Sequence, residues 1–334
     1  MKTIVVSGAC SGVGKTTLAG ELRELLPGAI VVKIGHGQRK EGKCDNLYPA
    51  GTTFAEIARR HSEASFLVVE SNGVVEQVAP DLLVFLDAPA MKPSAGPVKR
   101  AADILSGQRI APDRLMRLAH RLEIEKDVMA RIAWLAGARP EPAAAVILAG
   151  GRSTRMGTDK ALLEIEGRPL IAGLVDQLRP HFDDIMISIA QQGDTLVPGV
   201  RHVADQKPGS GPLMGIHSAV AASSCRVNFV IACDVPVIDV GLVRKLLSFA
   251  GCCDATIPTF GDGRLEPLFA VYCRDVLPHT AAMIAGENLR VRDLLARCRS
   301  RIVEVARNDW YKNLNEPTAY RQYVGERRRE REDS

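Results

Sequence analysis

Leu148-Ala149-Gly150-Gly151-Arg152-Ser153-Thr154-Arg155-Met156-Gly157-Thr158-Asp159-Lys160-Ala161-Leu162-Leu163 follows the apolar run Ala143–Leu148, which reads as a buried strand, and leads through 162–165 into a helical pattern over 169–178. A glycine-rich turn leaving a strand is where an α/β sheet brings bare backbone N–H groups against a phosphate chain. Gly150, Gly151 and Gly157 carry no side chain to block that approach, while Arg155 and Lys160 supply positive charge at the same mouth. A surface loop with turn glycines and solubilising cations is the plainer alternative. The Gly-Gly pair, Arg155, the Met156-Gly157 step and Asp159-Lys160 all fall within about a dozen residues after a strand, and that density favours handling of a nucleoside triphosphate.

Toward the C-terminus, strand-like Asp184–Ile189 and Arg201–Ala204 precede Asp205 and a second glycine-rich turn, Pro208-Gly209-Ser210-Gly211-Pro212-Leu213-Met214-Gly215, which opens a helix. The run 227–233 is almost continuously apolar and ends in Cys233-Asp234-Val235-Pro236. A carboxylate at the carboxyl edge of a central strand sits where ligands bind in open α/β sheets. Mg²⁺ is commonly held by one or two carboxylates plus substrate phosphates, so Asp234 alone suffices as its protein anchor.

These motifs closely resemble those of the molybdenum cofactor guanylyltransferase family (MobA-like), within the wider Rossmann-like nucleotidyltransferases. The resemblance implies that Leu148, Ala149, Gly150 and Gly151 hold the nucleotide and that Lys160 neutralises its phosphates. It further implies that Asp205 contacts the nucleoside, that the turn at Gly211 packs against the nucleotide, and that Asp234 binds the metal. The stretch 265–272 resembles the family's acceptor-side strand. Arg290 and Arg292 would hold the acceptor phosphate or pterin, or else cap a surface helix, and Asn313-Leu314-Asn315 resembles the family's Asn-x-Asn turn. Relatives that make nucleotide sugars carry a Gly-Thr-Arg-Leu loop and a later Pro-Lys, both missing here. Where members often have an asparagine, this chain has Ala190-Gln191-Gln192, which leaves one base contact open. The implied reaction moves GMP from GTP to molybdopterin, probed against cytidylyl transfer and against a non-catalytic delivery adaptor. Arg155, Lys160 and Asp234 are the expected catalytic residues.

Toward the N-terminus, the β-branched run 3–7 meets Gly8-Ala9-Cys10-Ser11-Gly12-Val13-Gly14-Lys15-Thr16-Thr17 and then an amphipathic stretch over 18–26. Strand, glycine loop, Gly-Lys-Thr and helix is the context of a phosphate-binding P-loop. Residues Ser11 to Thr17 would cradle the phosphates, Lys15 would reach the β/γ oxygens, and Thr16 would ligate Mg²⁺. Ala9 replaces the usual first glycine. Ala29–Ile34, Phe66–Glu70 and Leu82–Leu86 read as parallel strands, with Glu70 either a metal-facing acid or a simple strand-end charge. His36 and Lys40 lie in a polar loop that faces phosphate, partner or solvent. This half resembles the MobB-like adaptor GTPases, through the P-loop, Val32-Lys33-Ile34-Gly35-His36 and Val68-Val69-Glu70.

The expected class is α/β in two domains: a P-loop NTPase-like parallel sheet over 1–96 and a Rossmann-like nucleotidyltransferase (GT-A-like) fold over 143–325. A helical connector and linker fills 97–142, with helices expected over 98–105, 112–122 and 125–135, and a charged tail fills 326–334. With 334 residues the chain can bury two cores. A net charge of +4 does not argue for nucleic acid, and no apolar run reaches the ~20 residues of a membrane span. The eight cysteines show no C-x-x-C pair, and the N-terminus has no signal-peptide pattern, so a reducing cytoplasm is expected. Implied partners are GTP, molybdopterin, molybdopterin-inserting proteins and apo-molybdoenzymes, with a homodimer through the P-loop domain among the expectations.

Overall fold

In the computed structural model, which describes residues 1–35, 45–93, 95–149, 163–165, 167–191, 196–261, 263–305, 314 and 317–332, the chain divides into two units, Met1–Glu141 and Pro142–Ser334. Unit 1 contains strands β1 (Lys2–Gly8), β2 (Ala29–Ile34), β3 (Asn46–Tyr48), β4 (Phe66–Glu70), β5 (Leu82–Leu86) and β6 (Ile104–Leu105). Its helices are α1 (Lys15–Leu25), α2 (Phe54–Arg60), α3 (Ala95–Ala101), α4 (Pro112–Leu122) and α5 (Lys126–Leu135). The strands form one six-stranded sheet in the order β3-β2-β4-β1-β5-β6, and every pairing is parallel. Because successive strand residues point to opposite faces, the apolar run of β1 feeds two cores. Ile4 and Val6 pack on the side of Leu18 and Leu22 from α1, and Val5 packs on the side of Ile57 and Val98.

Of residues 97–142, expected as a connector and linker, 97–141 belong to this unit. Leu115, Leu118 and Leu122 of α4, with Met129 and Ile132 of α5, enter the same core as Ile4, Leu22 and Val84. Their i, i+3, i+4 and i+7 spacing makes an apolar stripe that must be covered, and the sheet face beside α1 covers it. The helix expected over 98–105 is also divided. It stops at Ala101, and Ile104–Leu105 adds an edge strand to β5, held by Asp103 N donating to Leu83 O at 2.9 Å and Leu83 N donating to Asp103 Oδ2 at 2.9 Å.

Unit 2 holds β7 (Ala143–Leu148), the two-stranded hairpin β8 (Glu164–Ile165) and β9 (Arg168–Pro169), then β10 (Asp184–Ile189), β11 (Arg201–Ala204) and β12 (Val227–Ala232). It continues with β13 (Ala255–Phe260), β14 (Phe269–Cys273) and β15 (Ser300–Val305). Its helices are α6 (Leu170–Leu178), α7 (Pro212–Ala222), α8 (Val240–Leu247), α9 (Leu277–Ala285), α10 (Val291–Leu294) and α11 (Pro317–Glu332). The seven-stranded sheet runs β11-β10-β7-β12-β14-β13-β15, with β14 antiparallel to both neighbours. From β7 the chain builds outward through β10 and β11, then returns to place β12 on the other side of β7. That reversal is a topological switch point at the carboxyl ends of β7 and β12, the place where open α/β sheets bind ligands.

Only the second half of the expected 265–272 strand forms, because Phe269 N turns back to Glu266 O at 3.1 Å. At the C-terminus α11 runs to Glu332, so helical backbone occupies most of the segment expected as a tail.

Candidate functional site

The carboxyl edge of the unit 2 sheet is stitched across four strands. Ala149 N donates to Ser188 O of β10 at 2.9 Å, and Cys233 N, just past β12, donates to Leu148 O at 3.1 Å. Asp205 follows β11, and its amide donates to Ile189 O at 2.9 Å. These bonds fix Leu148, Ala149 and Asp205 along one edge.

The Asp205 carboxyl is half-buried, and among the described residues its Oδ1 is enclosed without a hydrogen-bond partner. Burial raises its pKa from 3.8 to about 6, against the opposing pull of a hydrogen bond with the Ser188 side chain. Helix α7, which starts after Gly211 at its N-cap, closes this corner with Gly215. A Cβ on Gly215 would lie 2.9 Å from Ser188 Oγ, 3.2 Å from Leu148 Cδ2 and 3.6 Å from Asp205 Oδ1. Glycine is therefore what lets α7 approach the strand ends closely enough to enclose the carboxyl.

Asp234 is 7% exposed and lies two residues beyond β12. Its carbonyl accepts from Leu314 N at 2.9 Å, and Leu314 is buried with Leu170 and Tyr323. The backbone between Asn313 and Asn315 thus reaches Asp234, although both asparagines lie outside the described residues. So do His36, Lys40, Gly150, Gly151, Arg155, Lys160 and Gln192. Among the described residues no group of three or more His, Cys, Asp or Glu could hold a metal. A lone carboxylate oxygen fits Mg²⁺, which takes its remaining ligands from phosphate and water. Arg290, the N-cap of α10, and Arg292 within it are both exposed. Beside them Asn288 Nδ2 donates to Asp293 Oδ2 at 3.0 Å and Asn288 Oδ1 accepts from Arg290 N at 3.2 Å.

Unit 1 carries a cleft of ≈ 440 Å³ at the carboxyl ends of β1, β2 and β4. Ser11, Gly12, Gly14, Lys15, Thr16 and Thr17 line it, whereas Val13 turns inward and packs on the apolar core. Gly14 caps α1 at φ 99°, a left-handed conformation that L side chains adopt at a cost. Lys15 Nζ donates to Cys10 O at 2.7 Å; burial lowers its pKa, and Glu70 partly restores it. Thr16 Oγ1 donates to Glu70 Oε2 at 2.7 Å, so the two residues expected at a metal do meet. Both offer hard oxygen donors, the chemistry Mg²⁺ prefers.

Two contributors carried no sequence signal of their own: Ser188 is one polar residue in an apolar strand, and Lys92 falls in no motif, yet it lines the unit 1 cleft together with Lys33 of the Val32-Lys33-Ile34-Gly35-His36 motif. Asn72 accepts from Ser7 Oγ at 2.8 Å and donates to Gly8 O at 3.0 Å, bracing the loop's first turn. Gly215 was visible as the last glycine of its turn, but its packing role was not.

Comparison with known proteins falls on the second unit. Residues 145–303 match the family model described as MobA-like NTP transferase domain. A relative from Pelotomaculum thermopropionicum, named "Probable molybdenum cofactor guanylyltransferase", is 36% identical over 151 residues, covering 45% of this chain and 73% of the relative. One of the same name from Methanothermobacter thermautotrophicus is 34% identical over 185 residues, covering 51% of this chain and 93% of the relative. The crystal structure of molybdopterin-guanine dinucleotide biosynthesis protein A from Archaeoglobus fulgidus is similar over 56% of this chain and 99% of that one, at 21% identity and a TM-score of 0.49.

Proposed function

The chain belongs to the molybdenum cofactor guanylyltransferase family, and from that premise we propose that its second unit transfers GMP from GTP to molybdopterin and releases pyrophosphate. It is a nucleotidyltransferase. The observation that carries the finer reading is the enclosed Asp205 Oδ1, without a partner among the described residues, at the strand edge that Leu148 and Ala149 also occupy. A buried acceptor left unsatisfied costs free energy until a donor arrives, and a nucleoside N–H or O–H is such a donor.

In this reading the terminal phosphate of molybdopterin forms a new bond to the α-phosphorus of GTP as the bond to the β-phosphate oxygen breaks. The acceptor is already an anion, so no side-chain base is needed. Arg155 and Lys160 offset the charge growing on the departing pyrophosphate. Asp234 would hold Mg²⁺, which when bound supplies neutralisation of the phosphate oxygens. Arg290 and Arg292 are assigned to the acceptor side together with Asn313 and Asn315. Unit 1 is read as a MobB-like GTP-binding adaptor in which Lys15 meets phosphate and Thr16 and Glu70 would hold Mg²⁺. Its partners would be molybdopterin-inserting proteins and apo-molybdoenzymes in the cytoplasm.

The deciding experiment measures pyrophosphate release from GTP and from CTP with molybdopterin present. Release from GTP is expected. Preference for CTP would replace guanylyl by cytidylyl transfer, and release from neither would leave the non-catalytic adaptor.

A further inference from the structure

Lys33 and Glu70 are register partners on adjacent parallel strands, so their side chains rise from the same edge of β2 and β4. Lys33 Nζ lies 2.9 Å from Glu70 Oε1 and 3.4 Å from Thr16 Oγ1. Thr16 Oγ1 and Glu70 Oε2 are 2.7 Å apart. Two cis ligands of an octahedral Mg²⁺, each about 2.1 Å from the ion, stand ~3 Å apart, so this oxygen pair already has the spacing of a metal's ligands. An ammonium bonded to both residues takes the charge-compensating place a divalent cation would take. Glu70 is 5% exposed, and a carboxylate that buried requires a cation beside it. Lys33 is a partly exposed side chain on a flexible four-carbon stem, able to leave without disturbing β2. Lys15 and Lys92 line the same cleft, so three ammonium groups face one space whose only described acid is Glu70.

Building on the reading of unit 1 as a nucleotide site, we infer that Lys33 is a positioning residue acting as a resident counter-ion of the Thr16–Glu70 pair, and that Lys33 and Mg²⁺ exclude one another there. A nucleoside di- or triphosphate then loads with its metal by drawing Lys33 off Glu70 and onto phosphate oxygens. Lys33 keeps the buried carboxylate paired while the metal is away and pairs with phosphate once the metal has come.

The test uses the full chain carrying Asp234→Asn, which removes the transferase unit's metal anchor. Mn²⁺ binding is followed by electron paramagnetic resonance, and the portion lost on adding Glu70→Gln is assigned to unit 1. Nucleotide binding is followed with a fluorescent GDP, and the portion lost on adding Lys15→Ala is assigned to the P-loop. In Lys33→Met the Glu70-dependent Mn²⁺ half-saturation is expected to fall about tenfold, because the vacated buried carboxylate attracts the ion unopposed. Metal-free GDP affinity should fall in the same variant, because a phosphate cation is gone. A merely structural lysine would weaken both. An unchanged or higher Mn²⁺ half-saturation alongside Lys15-dependent GDP binding overturns the inference and leaves the nucleotide site standing. Absence of any Lys15-dependent binding in the parent removes the nucleotide site and the inference with it. Should Lys33→Met fail to fold, Lys33→Gln is read in the same way and decides by the same criteria.

Discussion

Asp205→Asn should stabilise unit 2 at neutral pH while weakening its hold on nucleotide. Asp205 pays for its charge: burial lifts its pKa from 3.8 to about 6, so above pH 6 the folded protein keeps an anion that the unfolded chain holds more easily. At about 1.4 kcal/mol for each pKa unit, a fully dry site would make that ~3 kcal/mol. The carboxyl is only half-buried and water screens it, so roughly 1 kcal/mol is expected. Between the unfolded and folded pKa values the folded state binds more protons, so the parent loses stability as pH rises from about 4 to 6 and then levels off. The gain from asparagine is therefore near zero at pH 4 and complete above pH 6. Urea unfolding at pH 4, 5, 6 and 7.5 measures it, with amide exchange in β11 and α7 assigning the change to unit 2. GTP affinity should fall by roughly tenfold or more, as expected for losing a hydrogen bond to a charged acceptor. A variant less stable than the parent at pH 7.5, or a gain equal at pH 4 and 7.5, would refute the account of Asp205 as a desolvated, substrate-awaiting acceptor.

Asp234→Asn should cut transfer by about 10²-fold or more while weak GTP binding persists, read as pyrophosphate release and nucleotide titration in Mg²⁺. Lys160→Ala should lower kcat by a comparable ~10²-fold, and kinetics equal to the parent's would move the active site away from the loop after β7. Gly215→Ala places a methyl 2.9 Å from Ser188 Oγ and 3.2 Å from Leu148 Cδ2, and this crowding should cost about 1–3 kcal/mol in urea unfolding together with a rise in the KM for GTP. Leu122→Ala opens a cavity in the core of unit 1 and should cost about 2–5 kcal/mol, whereas the same change in a solvated connector would cost almost nothing.

What the sequence disclosed about the fold was whatever depends on neighbours in the chain. The strand, glycine loop and helix start from Lys2 through Thr17 are legible because such a loop needs contiguous glycines, a cation and a helix start, all within one short stretch. Asp234 is legible because an apolar strand announces its own carboxyl end. Strand direction is not local in that way: nothing in Phe269–Cys273 tells that β14 runs against β12 and β13. The covering of α4 and α5 was hidden for a related reason, since an amphipathic helix states that it needs a partner without stating which one.

The same distinction separates the parts of the candidate sites. Asp205 was recognised by its motif, yet its altered proton affinity arises from α7 and β10, brought beside it by the order β11-β10-β7-β12. Ser188 and Gly215 matter only because that order makes Gly215's missing side chain the space into which Ser188, Leu148 and Asp205 converge. In unit 1, Glu70 read evenly as a metal acid or a strand-end charge, and the structure adds surroundings that the single residue could not show. A carboxylate 5% exposed, bonded to Thr16 and paired with Lys33 across a strand register, is held by two groups that one loop and one strand supply independently. A simple strand-end charge would turn toward water, where its solvation is free, so the burial of Glu70 is what makes the Lys33 ammonium necessary at the mouth of the unit 1 cleft.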